Sequence, residues 1–336
     1  MNTKETDIAN VILIVISLAL AFSLPFQLFL FSYAFLGPLH YLTEINWLKE
    51  KNYFLKETKW VGLFVLMAFL VTIPFFLRLH LPGGINKVPF VKSVADFLTK
   101  SGDEITMMAV VIALGLIYFK AKKHLLLFLV PALTLTCLAL NYFPDFALAL
   151  AIFVPTIVHV YLFTLLFMIY GTINSKSTPG IIAIVLVVLV PFIIMVSKVN
   201  PTDYFPLKES VVNSYNSTSF GILNYGIAKF LLPIPVADAG FLSVIGIKIQ
   251  IFIAFAYTYH YLNWFSKTSI IGWNKNLSRT KTLSILAIWA VSVALYLYSF
   301  KIGFLALLLL SLVHVFLEFP LNVTSIKGIV AKVTRK

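Results

Sequence analysis

The sequence has little charge, and most of that charge is of one sign. Only 12% of its 336 residues are Asp, Glu, Lys or Arg, whereas 60% are hydrophobic. In soluble domains about a quarter of all residues are charged, so this chain has too little polar surface to cover a water-exposed fold. Its net charge of +13 lies in short clusters between apolar runs rather than along one stripe. That distribution excludes an extended nucleic-acid-binding surface.

Cysteine and sequence repeats are also scarce. The single cysteine, Cys137, lies in an apolar run, which excludes a disulfide framework. No internal repeat is visible, so solenoids and inverted-repeat transporters receive no direct support. Ala19-Leu20-Ala21 resembles a signal-peptide cleavage site, but Glu5 and Asp7 and the continuing apolar run favour an uncleaved first span.

Apolar runs of about twenty residues, enough to cross a hydrocarbon core, recur along nearly the whole chain. They predict an all-α, polytopic transmembrane helical bundle of about nine spans, forming a single transmembrane domain over residues 1–336. Prolines inside the spans predict kinks rather than breaks. The expected spans are 12–36, 60–80, 103–119, 124–141, 145–170, 180–198, 244–265, 282–299 and 302–320.

The connections between spans predict the topology. The loops on the side of the C-terminus hold most of the Lys and Arg residues, and the positive-inside rule then places the C-terminus in the cytoplasm and the N-terminus outside. We expect a multi-pass protein of the inner (plasma) membrane. The longest connection, 199–240, is expected to be an external loop. Within it, 219–232 is either a re-entrant or interfacial helix or an ordinary surface segment.

Histidine is the informative residue type in this chain. Of six histidines, His80 and His124 fall at span ends beside basic residues and are given no role. The other four lie in or against apolar runs, where ionisable groups are costly and usually functional. They all fall on odd-numbered spans, which run in one direction, so we expect them at similar depths. These four are His40, His159, His260 and His314.

Two of these histidines have a carboxylate four residues later, namely Glu44 after His40 and Glu318 after His314. In a helix this spacing places both groups on one face, where a carboxylate can orient the imidazole or join it as a metal ligand. A polyhistidine metal site is therefore the leading hypothesis. Haem ligation and structural hydrogen bonding between helices remain as alternatives.

Aromatic residues surround two of the histidines and would suit a flat, conjugated ligand. Lipid-facing packing and an interfacial aromatic belt are the alternative explanation, and the belt is favoured for Trp264 and Phe265 near a span end. The candidate substrate-lining residues are Tyr161, Tyr257, Tyr259 and Tyr261.

Four local stretches carry a resemblance to a known family: FLGPLHYLTE around His40, VPTIVHVY around His159, YTYHYLNWF around His260 and SLVHVFLEFP around His314. In this order, over almost the whole chain, they resemble motifs of the integral-membrane β-carotene dioxygenases of the Brp/Blh type. The chain departs from that pattern in three places. The family's third motif has two histidines four residues apart, whereas His260 stands alone. Pro38 lies two residues before His40, and the first acid is Glu44 rather than Asp.

The resemblance implies a membrane-embedded oxidoreductase. It implies that His40, His159, His260 and His314 form the catalytic centre and bind non-haem Fe(II). Glu44 and Glu318 would then hold the imidazoles in the correct tautomer and balance the charge of the metal. The implied partners are a lipophilic carotenoid or related isoprenoid, O₂ and the lipid bilayer, and the implied product is retinal. The alternatives are a haem-binding membrane cytochrome and a non-enzymatic transporter or assembly protein with structural histidines.

Overall fold

The computed structural model of the protein describes residues 3–78, 88–143, 153–218, 220–231, 242–272 and 277–334. The described chain is all-helical, as predicted. Its helices are α1 Thr3–Ser23, α2 Pro25–Phe31, the π-helix π1 Ser32–Leu36, α3 Gly37–Glu50, α4 Lys59–Leu77, α5 Pro89–Lys100, α6 Gly102–Tyr118, α7 Lys122–Tyr142, the π-helix π2 Val154–Phe163, α8 Thr164–Ser175, α9 Thr178–Val196, α10 Glu209–Thr218, α11 Phe220–Leu231, α12 Val244–Ser266, α13 Thr268–Ile271, α14 Arg279–Tyr298 and α15 Phe300–Val333.

Seven helices among the described residues are long and apolar enough to cross a membrane, or eight if the pair α5 and α6, bent by 51°, is one span. The expected number was about nine. With α5 and α6 counted as one span, the remaining difference lies in the span at 244–265. There α12 does form over 23 residues, but it includes the polar residues Lys248, Gln250, His260 and Asn263. The start of the span expected at 145–170 lies outside the described residues.

The helix α1 has the reverse of the pattern found in soluble proteins. It buries Thr6, Asn10 and Ser17 and exposes Ile8 and Ile12. In water this arrangement would hide polar groups and solvate apolar ones, whereas in lipid it places the polar face against protein and the apolar face against hydrocarbon. The pattern therefore supports a membrane environment.

The first expected span, 12–36, is wrong as a continuous helix. The helix α1 ends at Ser23, Leu24 leaves the helical region (φ −142°, ψ 55°) and α2 starts at Pro25. Proline lacks an N–H donor and disfavours the helical conformation of the residue before it, so Pro25 breaks the helix instead of kinking it. In contrast, Pro74, Pro131 and Pro191 do lie inside helices, as predicted.

The chain divides into two compact units, the first formed by residues 1–43 and 156–304 and the second by 44–155 and 305–336. In the first unit, α12 is the central helix. It packs against α1, α2, π1, α9 and α11 and buries most of its residues. Its Gln250 side chain accepts a hydrogen bond from Asn224 of α11 (3.1 Å) and donates to the Pro25 carbonyl oxygen (3.1 Å). This bond joins α12 to the first residue of α2, next to the helix break.

The connection 199–240 contains regular structure where it is described. A 3₁₀ turn at Pro201–Tyr204 precedes α10 and α11. The helix α11 covers residues 220–231 of the expected 219–232 segment, and it buries Asn224, Ile227 and Ala228. A helix in this segment is therefore confirmed, and it packs against α12 as part of the first unit.

In the second unit, α4, α5, α6 and α7 pack on one another. At the C-terminal end of α15, the Lys327 ammonium lies 5.0 Å from the ring centroid of Tyr118 on α6. Residues Val315, Phe316, Leu317 and Phe319 of α15 are all buried. The second unit therefore includes the middle of α15, which carries His314 and Glu318.

Gly303 marks a close approach between α14 and α15 in the first unit. A Cβ atom at this position would lie 2.5 Å from Tyr296 Cγ and 2.8 Å from Tyr296 Cα. We expect Gly303→Ala to lower the stability by about 1–3 kcal/mol, the usual cost of overpacking, measured as a lower midpoint of thermal unfolding in detergent. Gly62→Ala on α4 is the matched control, because no atom lies within 4 Å of its added Cβ. Equal melting of both variants would contradict this packing.

Candidate metal centre

Three of the predicted histidines meet inside the first unit. His40 lies on α3, His159 on π2 and His260 on α12, and one ring nitrogen of each lies within 4.8 Å of the others. Their exposed fractions are 1%, 1% and 6%. We call these residues the three-histidine cluster. Three separate segments of the chain thus place imidazoles at one buried point.

Two of the three histidines are associated with π-helical backbone. His159 lies within the ten residues of π2, and His40 follows π1 by one turn. A π turn inserts extra backbone into a helix and is frequently found at functional sites. The Phe35 carbonyl oxygen of π1 accepts a hydrogen bond from Trp289 Nε1 (2.9 Å). This bond gives the irregular turn a partner outside its own helix.

The spacing of His40 and His260 fits ligands on one ion. Their Nε2 atoms lie 3.1 Å apart, and the ring planes meet at 73°. Two imidazole nitrogens at about 2.0–2.1 Å from a metal are separated by about 2.8–3.0 Å at neighbouring octahedral positions and by about 3.3–3.4 Å in tetrahedral geometry. The same distance also suits a hydrogen bond from one imidazole to the other. The His159 ring lies 5.1 Å from the His260 ring, centroid to centroid.

The hydrogen bonds of Thr164 assign the tautomer of His260. The Thr164 hydroxyl lies 2.7 Å from His260 Nδ1, and it donates its own proton to the Val160 carbonyl oxygen (2.9 Å). A hydroxyl has one proton, so at His260 it must accept, and Nδ1 carries the hydrogen. In the neutral ring, Nε2 then presents a lone pair toward His40. This is the arrangement by which metal-binding histidines are commonly oriented.

The cluster has an aromatic wall. The rings of Tyr261 and Trp264 lie 5.1 and 5.5 Å from the His40 ring, and Trp264 Nε1 donates a hydrogen bond to Thr43 Oγ1 (3.0 Å). Trp264 therefore lies next to the cluster, and its predicted place in an interfacial aromatic belt stays a prediction. The Tyr261 and Tyr41 hydroxyls are 3.0 Å apart and join α12 to α3.

The four predicted substrate-lining tyrosines lie in different places. Tyr261 borders the cluster, and the Tyr257 ring packs edge-on against Phe29 (5.1 Å). Tyr259 points to another side of α12, where its hydroxyl donates to Asn10 Oδ1 (3.3 Å). Tyr161 donates to the Val187 carbonyl oxygen (2.7 Å). Their role in lining a substrate stays a prediction.

His314 lies in the second unit with both predicted carboxylates. One ligand atom each of Glu44, His314 and Glu318 lies within 4.8 Å of the others, and all three side chains are at most 2% exposed. His314 Nδ1 lies 2.6 Å from the Ser311 carbonyl oxygen, which can only accept a hydrogen bond, so Nδ1 carries the hydrogen. The role of His314 as a fourth ligand of the three-histidine cluster stays a prediction.

Sequence reasoning missed Thr164 and Thr43, which fix His260 and Trp264 through their hydroxyls. Thr164 is a polar residue in an apolar run, five residues after His159. This position is the only sequence feature we find that could have indicated its role. Threonine is common in membrane helices because its hydroxyl bonds to its own backbone, so the signal is weak.

The chain matches no family model, no curated protein and no solved structure. The geometry alone therefore defines the class: a polytopic membrane protein with a buried histidine cluster that could hold a metal ion. The resemblance to β-carotene dioxygenases, which the four histidine motifs of the sequence predict, stays a prediction.

Proposed function

We propose that this protein is a membrane-embedded, non-haem iron oxygenase that cleaves a carotenoid or a related isoprenoid lipid. The observation that carries the proposal is the meeting of His40, His159 and His260 from three segments at one buried point. Buried ionisable groups in membrane helices are rare and usually functional. Three of them in one place favour a metal centre over isolated helix-to-helix hydrogen bonds.

The cluster fits a divalent ion chemically as well as geometrically. Neutral imidazoles are ligands that suit Fe(II) and Zn(II), and the tautomer of His260 leaves Nε2 able to coordinate. Three protein ligands leave further positions for O₂ or substrate. The iron, when bound, would supply the activation of O₂, which the side chains of this protein cannot do alone. The chain itself holds the ligands, orients them through Thr164 and excludes water by burial.

The location of the cluster favours a lipid substrate. Carotenoids are nearly insoluble in water and comparable in length to the ~30 Å hydrocarbon core. A polyene that enters sideways from the bilayer could reach a centre inside the helices without crossing water. Tyr261 and Trp264 place aromatic surface beside His40, which suits a flat conjugated chain.

The proposed overall reaction needs no further reductant. Cleavage of one carbon–carbon double bond by O₂ places one oxygen atom on each carbon and forms two aldehydes. For β-carotene cleaved at its central double bond, the products are two molecules of retinal. O₂ is reduced while the two alkene carbons are oxidised, so atoms and electrons balance.

The geometry disfavours the haem alternative for one pair of histidines. Two axial imidazoles on opposite faces of a haem place their ligating nitrogens about 4 Å apart, because each metal–nitrogen bond is about 2.0 Å. The Nε2 atoms of His40 and His260 are 3.1 Å apart. These two histidines therefore suit neighbouring positions on one ion rather than opposite faces of a haem.

The test is expression in a bacterium that makes β-carotene. Cells with the intact protein are expected to lose pigment and accumulate retinal, measured by extraction and chromatography. Cells that express His260→Ala are expected to keep their pigment, because the variant lacks one of the proposed iron ligands. His124→Ala, an exposed residue on α7, is the control and should behave like the intact protein. If the iron-loaded protein cleaves no carotenoid, the carotenoid assignment is wrong. A Soret absorption band in the purified protein would show bound haem and would identify a cytochrome instead.

A further inference from the structure

The second unit contains a cavity of about 280 Å³ where α4 and α7 begin and α6 ends. All of its lining residues belong to this unit, and none of them is a histidine of the proposed metal centre. Part of the lining is basic and part is apolar. We propose that this cavity binds one anionic phospholipid, with the headgroup phosphate at the basic part and the acyl chains along the apolar part.

The basic part of the cavity has an excess of positive charge. It is lined by Lys56, Lys59, Lys120 and Lys122, and Glu57 is the acidic residue among the described residues of the lining. Glu57 forms an ion pair with Lys59. The hydrogen bond and charge of Lys59, together with the charge of Lys122, lower the pKa of the Glu57 carboxyl group. One carboxylate therefore balances one of four ammonium groups, and three positive charges remain to attract an anion.

The lysines lie at the ends of apolar helices. Lys59 is the first residue of α4 and Lys122 is the first residue of α7, and both helices are long and apolar enough to cross a membrane. Lysine side chains at span ends reach toward the membrane–water interface, where the phosphates of lipid headgroups also lie. The N-termini of α4 and α7 add partial positive charge beside these lysines. The basic part of the cavity is therefore placed at the depth of a headgroup.

The apolar part of the lining suits acyl chains. It includes Leu116 of α6 and Leu125, Leu126 and Leu129 of α7. Leu126 is 60% exposed, so hydrocarbon chains that leave the cavity can lie along α7. A free phosphate ion would gain nothing from this apolar surface, whereas a phospholipid joins a phosphate to hydrocarbon in one molecule. The combination of lysines and leucines therefore favours a lipid over a soluble phosphate.

Binding of phosphatidylglycerol to the purified full-length protein in a non-ionic detergent tests this proposal. Native mass spectrometry measures the number of bound lipids and their affinity. We expect the intact protein to bind phosphatidylglycerol about tenfold more tightly, or better, than phosphatidylcholine with the same acyl chains, because phosphatidylcholine has no net charge. The double variant Lys56→Gln and Lys122→Gln should bind phosphatidylglycerol about 25-fold more weakly, since each lysine near an anionic lipid surface contributes about fivefold.

The matched control replaces Lys92 and Lys100 by Gln. Both are exposed lysines of α5 in the same unit and do not line the cavity. This variant loses the same charge and should keep the affinity of the intact protein. An equal loss in the two double variants would show that overall charge, and not the cavity, attracts the lipid, and would overturn the proposal.

Two measurements on the intact protein keep the test independent of how any variant folds. Equal binding of phosphatidylglycerol and phosphatidylcholine overturns the proposal, because the lysines would then not select an anionic headgroup. Glycerol 3-phosphate carries the phosphate without the acyl chains and is expected to bind at least about 100-fold more weakly than phosphatidylglycerol. If it binds as tightly, the site takes a soluble phosphate and the lipid assignment is wrong.

Discussion

His159→Ala is expected to weaken iron binding at the three-histidine cluster by more than 100-fold. Loss of a residue that only supports a ligand already costs about 10–100-fold in metal affinity, and His159 is itself one of the three candidate ligands. The side chain is 1% exposed, so water does not readily take its place. Competition with chelators of graded affinity, under anaerobic conditions, measures the change.

His124→Ala is the control for this measurement, because His124 lies at the exposed start of α7. It should bind iron with the affinity of the intact protein. If His159→Ala also binds iron as the intact protein does, the three histidines form hydrogen bonds between helices and the proposed enzyme has no centre.

Thr164→Val is expected to weaken iron binding by about 10–100-fold, the range found when a group that orients a metal-binding histidine is lost. Valine keeps the shape of threonine but cannot accept the Nδ1–H of His260, whose bond to Thr164 is 2.7 Å long. The ring is then free to adopt the other tautomer, in which Nε2 carries the hydrogen and cannot coordinate. Chelator competition again gives the affinity.

Thr164→Ser separates this positioning role from simple packing. Serine keeps the hydroxyl that accepts from His260 and donates to the Val160 carbonyl oxygen, but it lacks the methyl group. It should therefore bind iron within a few-fold of the intact protein. An equal loss in the serine and valine variants would show that the methyl group matters and that the hydroxyl does not orient the ring.

The sequence predicted most helices because apolar run length reports membrane crossing directly. It failed at Pro25, where the same proline chemistry produces a kink in some helices and a break in others. Residues distant in the chain bond to the backbone on both sides of the break, since the Tyr204 hydroxyl donates to the Phe22 carbonyl oxygen (3.0 Å) and Gln250 on α12 donates to the Pro25 carbonyl oxygen. No pattern near residue 25 contains that information.

The candidate site was predictable where residue type alone carries the signal. His40, His159 and His260 stand out because imidazole is costly in an apolar run. Thr164 and Thr43 do not stand out, because their roles depend on which residues face them after folding. The π-helical turns beside His40 and His159 were equally hidden, since no residue type marks the extra backbone that such a turn contains.

The histidines of the cluster come from widely separated parts of the chain, at residues 40, 159 and 260. During synthesis, the segment with His260 is made only after the segments with His40 and His159. The imidazoles of His40 and His159 are therefore in place first, and a ribosome-bound chain that ends before α12 lacks the third histidine of the cluster. If the cluster binds a metal ion as we propose, all three histidines can hold that ion only after α12 has been inserted.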